Sequence, residues 1–492
     1  MRKTPLSVMV MCAALMLPWI GVSQTVPARV VMAVNNQDVV TLAGNVPARA
    51  LPEYDQGQVS GETRLERMVL VLAPSAEQQA ELDALTESQM DAASPMYKVW
   101  LTPEEYGRRF GVADADVAKV RGWLRGMGFQ VEPVAAGRRM LVFSGTAAQV
   151  GEAFHVELHR YRVDGEEHVA NSQDPQVPRA LAPVVAGVLS LHDFRKASQI
   201  ASKRAVAVKG GAVSPEYTQG STHYLFPADF ATIYDVNPVY SAGTTGTGTT
   251  IAIVGRSNIN LSDVSGFRSF AGLTANQPAI VLDGANPGMV SGDQDEATLD
   301  VEWSGAVAPA ATVKLVVAGS TATTDGVDLS AGYIVNNKVA PVMSTSFGQC
   351  ESNLGATEVN FYNSLWQQAA SEGISVFVSS GDSGAAGCEG GGSASGSVAG
   401  VNGLCSSPYS TCVGGTEFND ATGNWWAASN GTGSGSALSY IPEMVWNESA
   451  SNGGSGLWAS GGGVSKVFPQ PAWQQQIQGA NGSGMRLKRV AV

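Results

Sequence analysis

Between Ile251 and Val378 short apolar runs alternate with helical stretches, and that alternation leaves few architectures open. Ile251 to Val254, Ile280 to Leu282, Thr312 to Val317, Val342 to Ser346 and Ile374 to Val378 read as strands. Asp295 to Ala306, Gly326 to Asn336 and Thr357 to Glu372 read as the helices between them. A helix after each strand returns the chain to the same end of the sheet, so the strands run parallel. An α/β fold follows, and in open α/β sheets the chemistry sits beyond the carboxyl ends of the strands. Beyond Val378 the chain reads Ser379-Ser380-Gly381-Asp382-Ser383-Gly384. Small residues there turn sharply around one carboxylate, Asp382.

At 492 residues the chain has room for two or three domains. A net charge of −13 argues against a nucleic-acid partner, because phosphate binding needs basic surface. Arg2 and Lys3, an apolar run from Leu6 to Ile20 and the small residues Gly21-Val22-Ser23 form a signal-peptide pattern over residues 1–23. A membrane anchor is the alternative, though the run is near the short limit for a span. Four cysteines remain beyond Cys12, an even number that suits disulfides in an exported chain. The pairing expected is Cys350–Cys388 with Cys405–Cys412. Metal ligation is the rival, with no histidine near these cysteines and no C-x-x-C pair.

The first part of the chain is a separate unit, residues 50–195, after an irregular start. Arg67 to Ala73 reads as a strand; Ser75 caps a helix to about Met90. Thr102-Pro103-Glu104-Glu105 combines a capping residue, a first-turn proline and a capping-box glutamate. A helix from Asp114, strands at Phe129 to Val134 and Arg139 to Phe143, a helix to Phe154 and a strand from His155 to Val163 complete an α+β, ferredoxin-like order. His155 and His159 share a strand face and read as structural. Residues 196–222, rich in Ala, Ser, Lys and Gly, form an exposed linker, either a maturation junction or a plain connection. Residues 223–492 form the second domain. Gly246-Thr247-Gly248 precedes its strand, whereas a dinucleotide loop follows one.

The acids Asp293, Asp295, Glu296, Asp300 and Glu302 crowd one helix. Glu296 and Asp300 lie a turn apart on one face, so like charges disfavour double ionisation and one group can hold a proton. A solvated acidic face is the alternative, but Leu299, Trp303 and Ala306 give the helix a buried side. The five histidines are His155, His159, His168, His192 and His223, so the body of the second domain has none. A Ser-His-Asp triad is therefore excluded there, and Gly381-Asp382-Ser383-Gly384 is no trypsin-type nucleophile.

These blocks together resemble the sedolisins, the serine-carboxyl peptidases. The carrying motifs are Glu296-x-x-x-Asp300, Ser344-Thr345-Ser346-Phe347-Gly348 with Glu351, Ser379 to Gly384, Ser406-Ser407-Pro408-Tyr409 with Val413 to Thr416, and Ser460 to Ser465 with Phe468 to Gln474. The resemblance implies a subtilisin-like parallel sheet domain behind an activation prodomain. It implies Glu296 as general base, Asp300 as its orienter and a protonated Asp382 as oxyanion donor. It also implies calcium, polypeptide substrates, an acid-acting secreted zymogen held by its own prodomain, and no membrane partner after signal removal. The family's Gly-Thr-Ser nucleophile motif does not occur in this sequence. The expectation is a peptidase domain incomplete at its C-terminus, without nucleophile or calcium ligands. The alternative is a non-catalytic peptide-binding remnant.

Overall fold

The computed structural model describes residues 26–198, 225–389, 398–449 and 457–474, with the backbone of the short pair Thr218–Gln219 and Thr222–His223. The signal-peptide segment and most of the expected linker lie outside the described residues. No described helix is long and apolar enough to cross a membrane.

The first unit is built on a four-stranded antiparallel sheet. Its strands are β1 (Arg64–Leu72), β2 (Gln130–Val131), β3 (Met140–Thr146) and β4 (Val185–Val188), in the order β2-β3-β1-β4. Helices α1 (Ala76–Met90), α2 (Pro103–Phe110), α3 (Asp114–Gly126) and α4 (Ala147–Phe154) fill the connections. Capping boxes start three of them, at Ser75 with Gln78, Thr102 with Glu105 and Thr146 with Gln149. Each satisfies two backbone N–H donors that a helix start otherwise strands.

Two expectations for this unit are corrected. The strand expected from His155 begins at Leu158, because His155 takes a left-handed backbone, φ 50°, at the C-cap of α4. His155 and His159 therefore do not share a strand face. The segment Leu158–Val163 leaves the main sheet and pairs with Asp55–Gln58 and Glu166–Asn171. The fourth strand of the main sheet is Val185–Val188. The start of the chain is not irregular throughout either. Val39–Thr41 pairs with Gln176–Pro178, and Val30 is fully buried in the unit's core.

β1 is buried on both faces, which explains its unbroken apolar run. Leu70 and Leu72 join Val120, Leu124, Phe143 and Phe154 in the unit's own core. Val69 and Val71 point the other way and join Ile334, Val335 and Leu365 of the second unit. Full burial of such side chains contributes about 1.5–3 kcal/mol each. The first unit is thus packed by its sheet onto two helices of the second.

The linker has an ordered beginning, β5 (Ala197–Ser198). It is not exposed at its first residue: the Lys196 side chain is 2% accessible.

The second unit has a six-stranded parallel sheet. In chain order its strands are β6 (Thr250–Gly255), β7 (Ala279–Leu282), β8 (Thr312–Val317), β9 (Val342–Thr345), β11 (Ser375–Ser379) and β12 (Thr411–Val413); the two-residue β10 (Phe347–Gly348) follows β9 outside the sheet. The spatial order is β7-β8-β6-β9-β11-β12. The winding reverses at β6, so the ends of β6, β9 and β11 open onto one crevice. The helices that flank it are α5 (Asp293–Val307), α6 (Gly326–Asn336) and α7 (Glu351–Ser371). α7 begins six residues earlier than the sequence pattern suggests. It breaks at Gly355, where φ is +77°, and that interruption hides its first turn. Both expected disulfides are present, Cys350–Cys388 and Cys405–Cys412.

Candidate active site

α5 carries its acids at its N-terminus, where the helix dipole favours negative charge. Its buried side is only partly the one expected. Leu299 is 40% exposed, whereas Glu296, Ala297, Val301 and Ala306 are buried. Glu296 is 2% exposed, and Ala297 and Val301 pack against β6 and β8. Trp303 packs beside Phe230 and Phe267.

Asp300 follows Glu296 by one turn. Its Oδ1 accepts a hydrogen bond from Ser346 Oγ at 2.8 Å. Its Oδ2 is enclosed with no hydrogen-bond partner among the described residues. Burial pushes the carboxyl up to about 7, against the Ser346 hydrogen bond, which lowers it. Ser346 lies just past β9, so this one bond ties α5 to the carboxyl end of the sheet.

Asp382 sits past the end of β11, the neighbour of β9, in a turn where Gly381 has φ +104°. A return segment clasps this turn. Ala459 N–H donates to Asp382 O at 3.0 Å, Gly461 N–H to Gly381 O at 2.6 Å, and Gly384 N–H to Ala459 O at 2.9 Å. A Cβ on Gly461 would stand 2.2 Å from the Ser380 carbonyl oxygen, so only glycine lets the two backbones meet. Burial pushes Asp382 up to about 7. Its neighbour Ser383 is 5% exposed and bridges Ala459, which is no place for a presented nucleophile.

One group emerges that sequence reasoning passed over. Arg256 follows β6 directly and grips Asp293 in the first turn of α5, Nε to Oδ2 at 2.7 Å and Nη2 to Oδ1 at 2.9 Å. It also reaches Asp325 Oδ1 at 3.2 Å, with its guanidinium 4.9 Å from the Phe347 ring centre. The only signal for it was a cation standing immediately after a buried strand. Glu351, at the start of α7, accepts from Ser465 Oγ at 2.5 Å and Lys466 N–H at 2.8 Å, joining two motifs far apart in sequence. Glu302 belongs elsewhere. Burial and then Asp263 push it up to about 7, on the flank facing the helix Leu261–Phe270.

Glu296, Asp300, Ser346, Arg256 and Asp382 therefore gather at the carboxyl edge of one parallel sheet. The arrangement can hold a proton on buried carboxyl groups near neutral pH, and a protonated carboxyl donates where an ionised one cannot. A cavity of about 880 Å³ lies apart from these acids, lined by Met90, Tyr409 and Trp473 among others. Among the described residues no group of three or more His, Cys, Asp or Glu could hold a metal ion.

Residues 54–194 match the family model described as the pro-kumamolisin activation domain. Sedolisin of Pseudomonas sp. (strain 101) is 28% identical over 420 residues, 84% of this chain and 68% of its own length. Kumamolisin of Bacillus sp. (strain MN-32) is 27% identical over 470 residues, 92% of this chain and 77% of its own. Human tripeptidyl-peptidase 1 is 27% identical over 432 residues, 84% of this chain and 68% of its own. Among solved structures, Pseudomonas sedolisin (serine-carboxyl proteinase) complexed with two molecules of pseudo-iodotyrostatin matches 54% of this chain and 69% of that one. The identity is 28% and the TM-score 0.42.

Proposed function

We propose that this chain, a precursor belonging to the sedolisin family, is built as the zymogen of an exported, acid-acting serine-type endopeptidase with a subtilisin-like sheet. Glu296 is the general base, Asp300 orients it and shares its proton, and Asp382 donates a hydrogen bond to the oxyanion of the tetrahedral intermediate. The observation that carries the reading is the pair of buried carboxyls, both pushed up to about 7: Asp300, bonded to Ser346 just past β9, and Asp382, past the end of the neighbouring β11. Asp382 then keeps its proton in acid and loses it above neutral pH, which limits oxyanion stabilisation to acid. The strand order of the first unit supports a ferredoxin-like activation domain. Its exit strand β5 lies antiparallel to β10, next to Ser346, where it covers the substrate-lining segment.

The sequence contains no Gly-Thr-Ser. That observation favours a second form of the same reading, in which this chain binds peptides at β10 and does not cleave them. Incubation with a peptide substrate at acid pH separates the two. The expected result is binding without turnover. Turnover that Glu296→Gln abolishes overturns the missing nucleophile and keeps the family chemistry. The peptidase reading itself fails if Glu296→Gln, Asp300→Asn and Asp382→Asn together change neither peptide binding nor the pH dependence of folding.

A further inference from the structure

β5 enters its antiparallel pairing with Ala197 opposite Gly348 and Ser198 opposite Phe347. The residue just before it, Lys196, does not stay on the surface. Its ammonium lies 2.8 Å from Asp328 Oδ1 and 3.5 Å from Asp325 Oδ2, and it contacts Glu358 Oε1. The Tyr362 ring centre is 5.5 Å away, and the tyrosine hydroxyl donates to Asp328 Oδ1. The Lys196 N–H donates to Asp325 Oδ2 at 3.0 Å. The side chains of Asp325, Asp328 and Glu358 are 6%, 4% and 5% exposed.

The acids and the tyrosine around the Lys196 ammonium belong to the second unit, while His192 of the first unit stands close enough to feel the charge of Lys196 and Asp325. Asp325 caps α6, Asp328 lies in its first turn, and Glu358 and Tyr362 project from α7. The tenant belongs to the segment that leads out of the first unit. Arg256 shares Asp325 and also touches the Phe347 ring of β10, so the pocket adjoins the substrate-lining strand.

We propose that, with the first unit released, this pocket is a substrate subsite that takes a lysine or arginine side chain from a peptide laid antiparallel to Phe347–Gly348. The inference rests on the peptidase reading above. Strand pairing supplies affinity for any extended peptide, and the pocket beside it selects the side chain. When Lys196 leaves, Asp325 keeps Arg256 but Asp328 and Glu358 lose the ammonium beside them, and an incoming ammonium or guanidinium restores it. A neutral side chain leaves them uncompensated, so selectivity arises from what is rejected as well as what is bound. The Tyr362 ring suits either cation.

In the full-length chain, Lys196→Ala with Ala197→Pro empties the pocket and weakens the strand over β10. Arg-Lys-Ala-Ser-amide, a copy of residues 195–198 carrying fluorescein on its N-terminal amine, is titrated by anisotropy beside its norleucine analogue. The lysine peptide should bind about tenfold tighter or more, and adding Asp328→Asn and Glu358→Gln should erase the difference. Equal affinities, a norleucine preference or binding of neither peptide overturns the subsite. Because that variant can lose its fold, thermal midpoints of the unmodified chain, Lys196→Arg and Lys196→Met give a second measure. Arginine should hold the midpoint and methionine should lower it by several degrees; an unchanged midpoint with methionine overturns the cation pocket. The triple substitution at Glu296, Asp300 and Asp382 scores the peptidase reading separately. Lysine selectivity with a silent triple variant sinks that reading alone. A responsive triple variant with no selectivity sinks the subsite alone.

Discussion

Arg256 and Asp293 meet through two parallel hydrogen bonds of 2.7 and 2.9 Å, joining the end of β6 to the first turn of the helix that carries Glu296. Both side chains are nearly enclosed, at 10% and 12% exposure. Arg256→Met removes the fork, leaving Asp293 with an uncompensated charge and Asp325 with Lys196 alone. Breaking a buried pair in this way costs about 3–5 kcal/mol, to be read from the urea midpoint at neutral pH. Arg256→Lys should recover little, because an ammonium cannot reproduce a bidentate grip.

The Ser346–Asp300 bond gives a prediction with a pH signature. Ser346→Ala removes the one hydrogen bond seen at the Asp300 carboxyl, which favours its ionised form. The cost is about 1.5–3 kcal/mol where Asp300 is charged, the range for hydrogen bonds to charged groups. The sign of the pH dependence follows from the raised carboxyl. A folded-state value near 7 against an ordinary 3.8 contributes stability that is complete below 3.8 and lost as pH rises through 7. Asp300→Asn should flatten that part of the stability–pH curve, measured by urea unfolding across the window. A slope unchanged by Asp300→Asn sinks the assignment.

How much of this was legible follows from what each signal depends on. Thr312–Val317 and Gly326–Asn336 match the expected bounds, since a buried strand and a capped helix announce themselves locally. Glu296 and Asp300 were found through helical spacing, and Asp382 through a glycine turn after a strand. Leu299 misled because apolarity alone does not set how a helix is rotated; here Glu296 is buried and Leu299 is exposed. Val185–Val188 was missed because a four-residue strand closed by tertiary pairing carries no periodicity. Lys196 was placed in an exposed linker by composition. What buries it is three acids more than a hundred residues further on, which no local window contains.

Asp382 gives the converse of a stabilising charge. Burial raises its carboxyl from an ordinary 3.8 to about 7, so the native state is favoured by the proton and weakened as pH rises through 7. Asp382→Asn keeps shape and a donor and never ionises. Thermal midpoints of variant and parent should be close at pH 4 and diverge at pH 8, with the variant the more stable. A parent that is the more stable at pH 8 shows that the carboxylate is favourably solvated in the turn.

Cys350 and Cys388 join the N-cap of α7 to the loop that follows Asp382, closing a separation of 38 residues. A cross-link over a loop of that size contributes about 3–4 kcal/mol in the chain-entropy account. Cys388→Ser with Cys350→Ser should lower the urea midpoint accordingly, with the loss greatest near the Asp382 turn. Hydrogen exchange of residues 380–387 is the local readout, and protection there should fall before that of α7.

Acid acts in the opposite direction at the exit from the first unit. His192 is held down to about 4 by burial first and by Lys196 next; Asp325 opposes this and His168 adds to it. The Phe194 ring lies 6.1 Å from it. An imidazole lowered from an ordinary 6.5 contributes stability that is present above 6.5 and lost as pH falls through 4. Asp300 and Asp382 gain their protons over the same fall in pH and favour the native state. Acidification therefore strengthens the site while it loosens the segment that leads to Lys196 and β5. His192→Gln cannot charge, so it should hold the first unit in place at pH 4.5 while leaving behaviour at pH 7.5 nearly unchanged. Limited proteolysis between residues 192 and 225 at the two pH values measures this. Equal cleavage of parent and variant at pH 4.5 shows that His192 does not govern this segment.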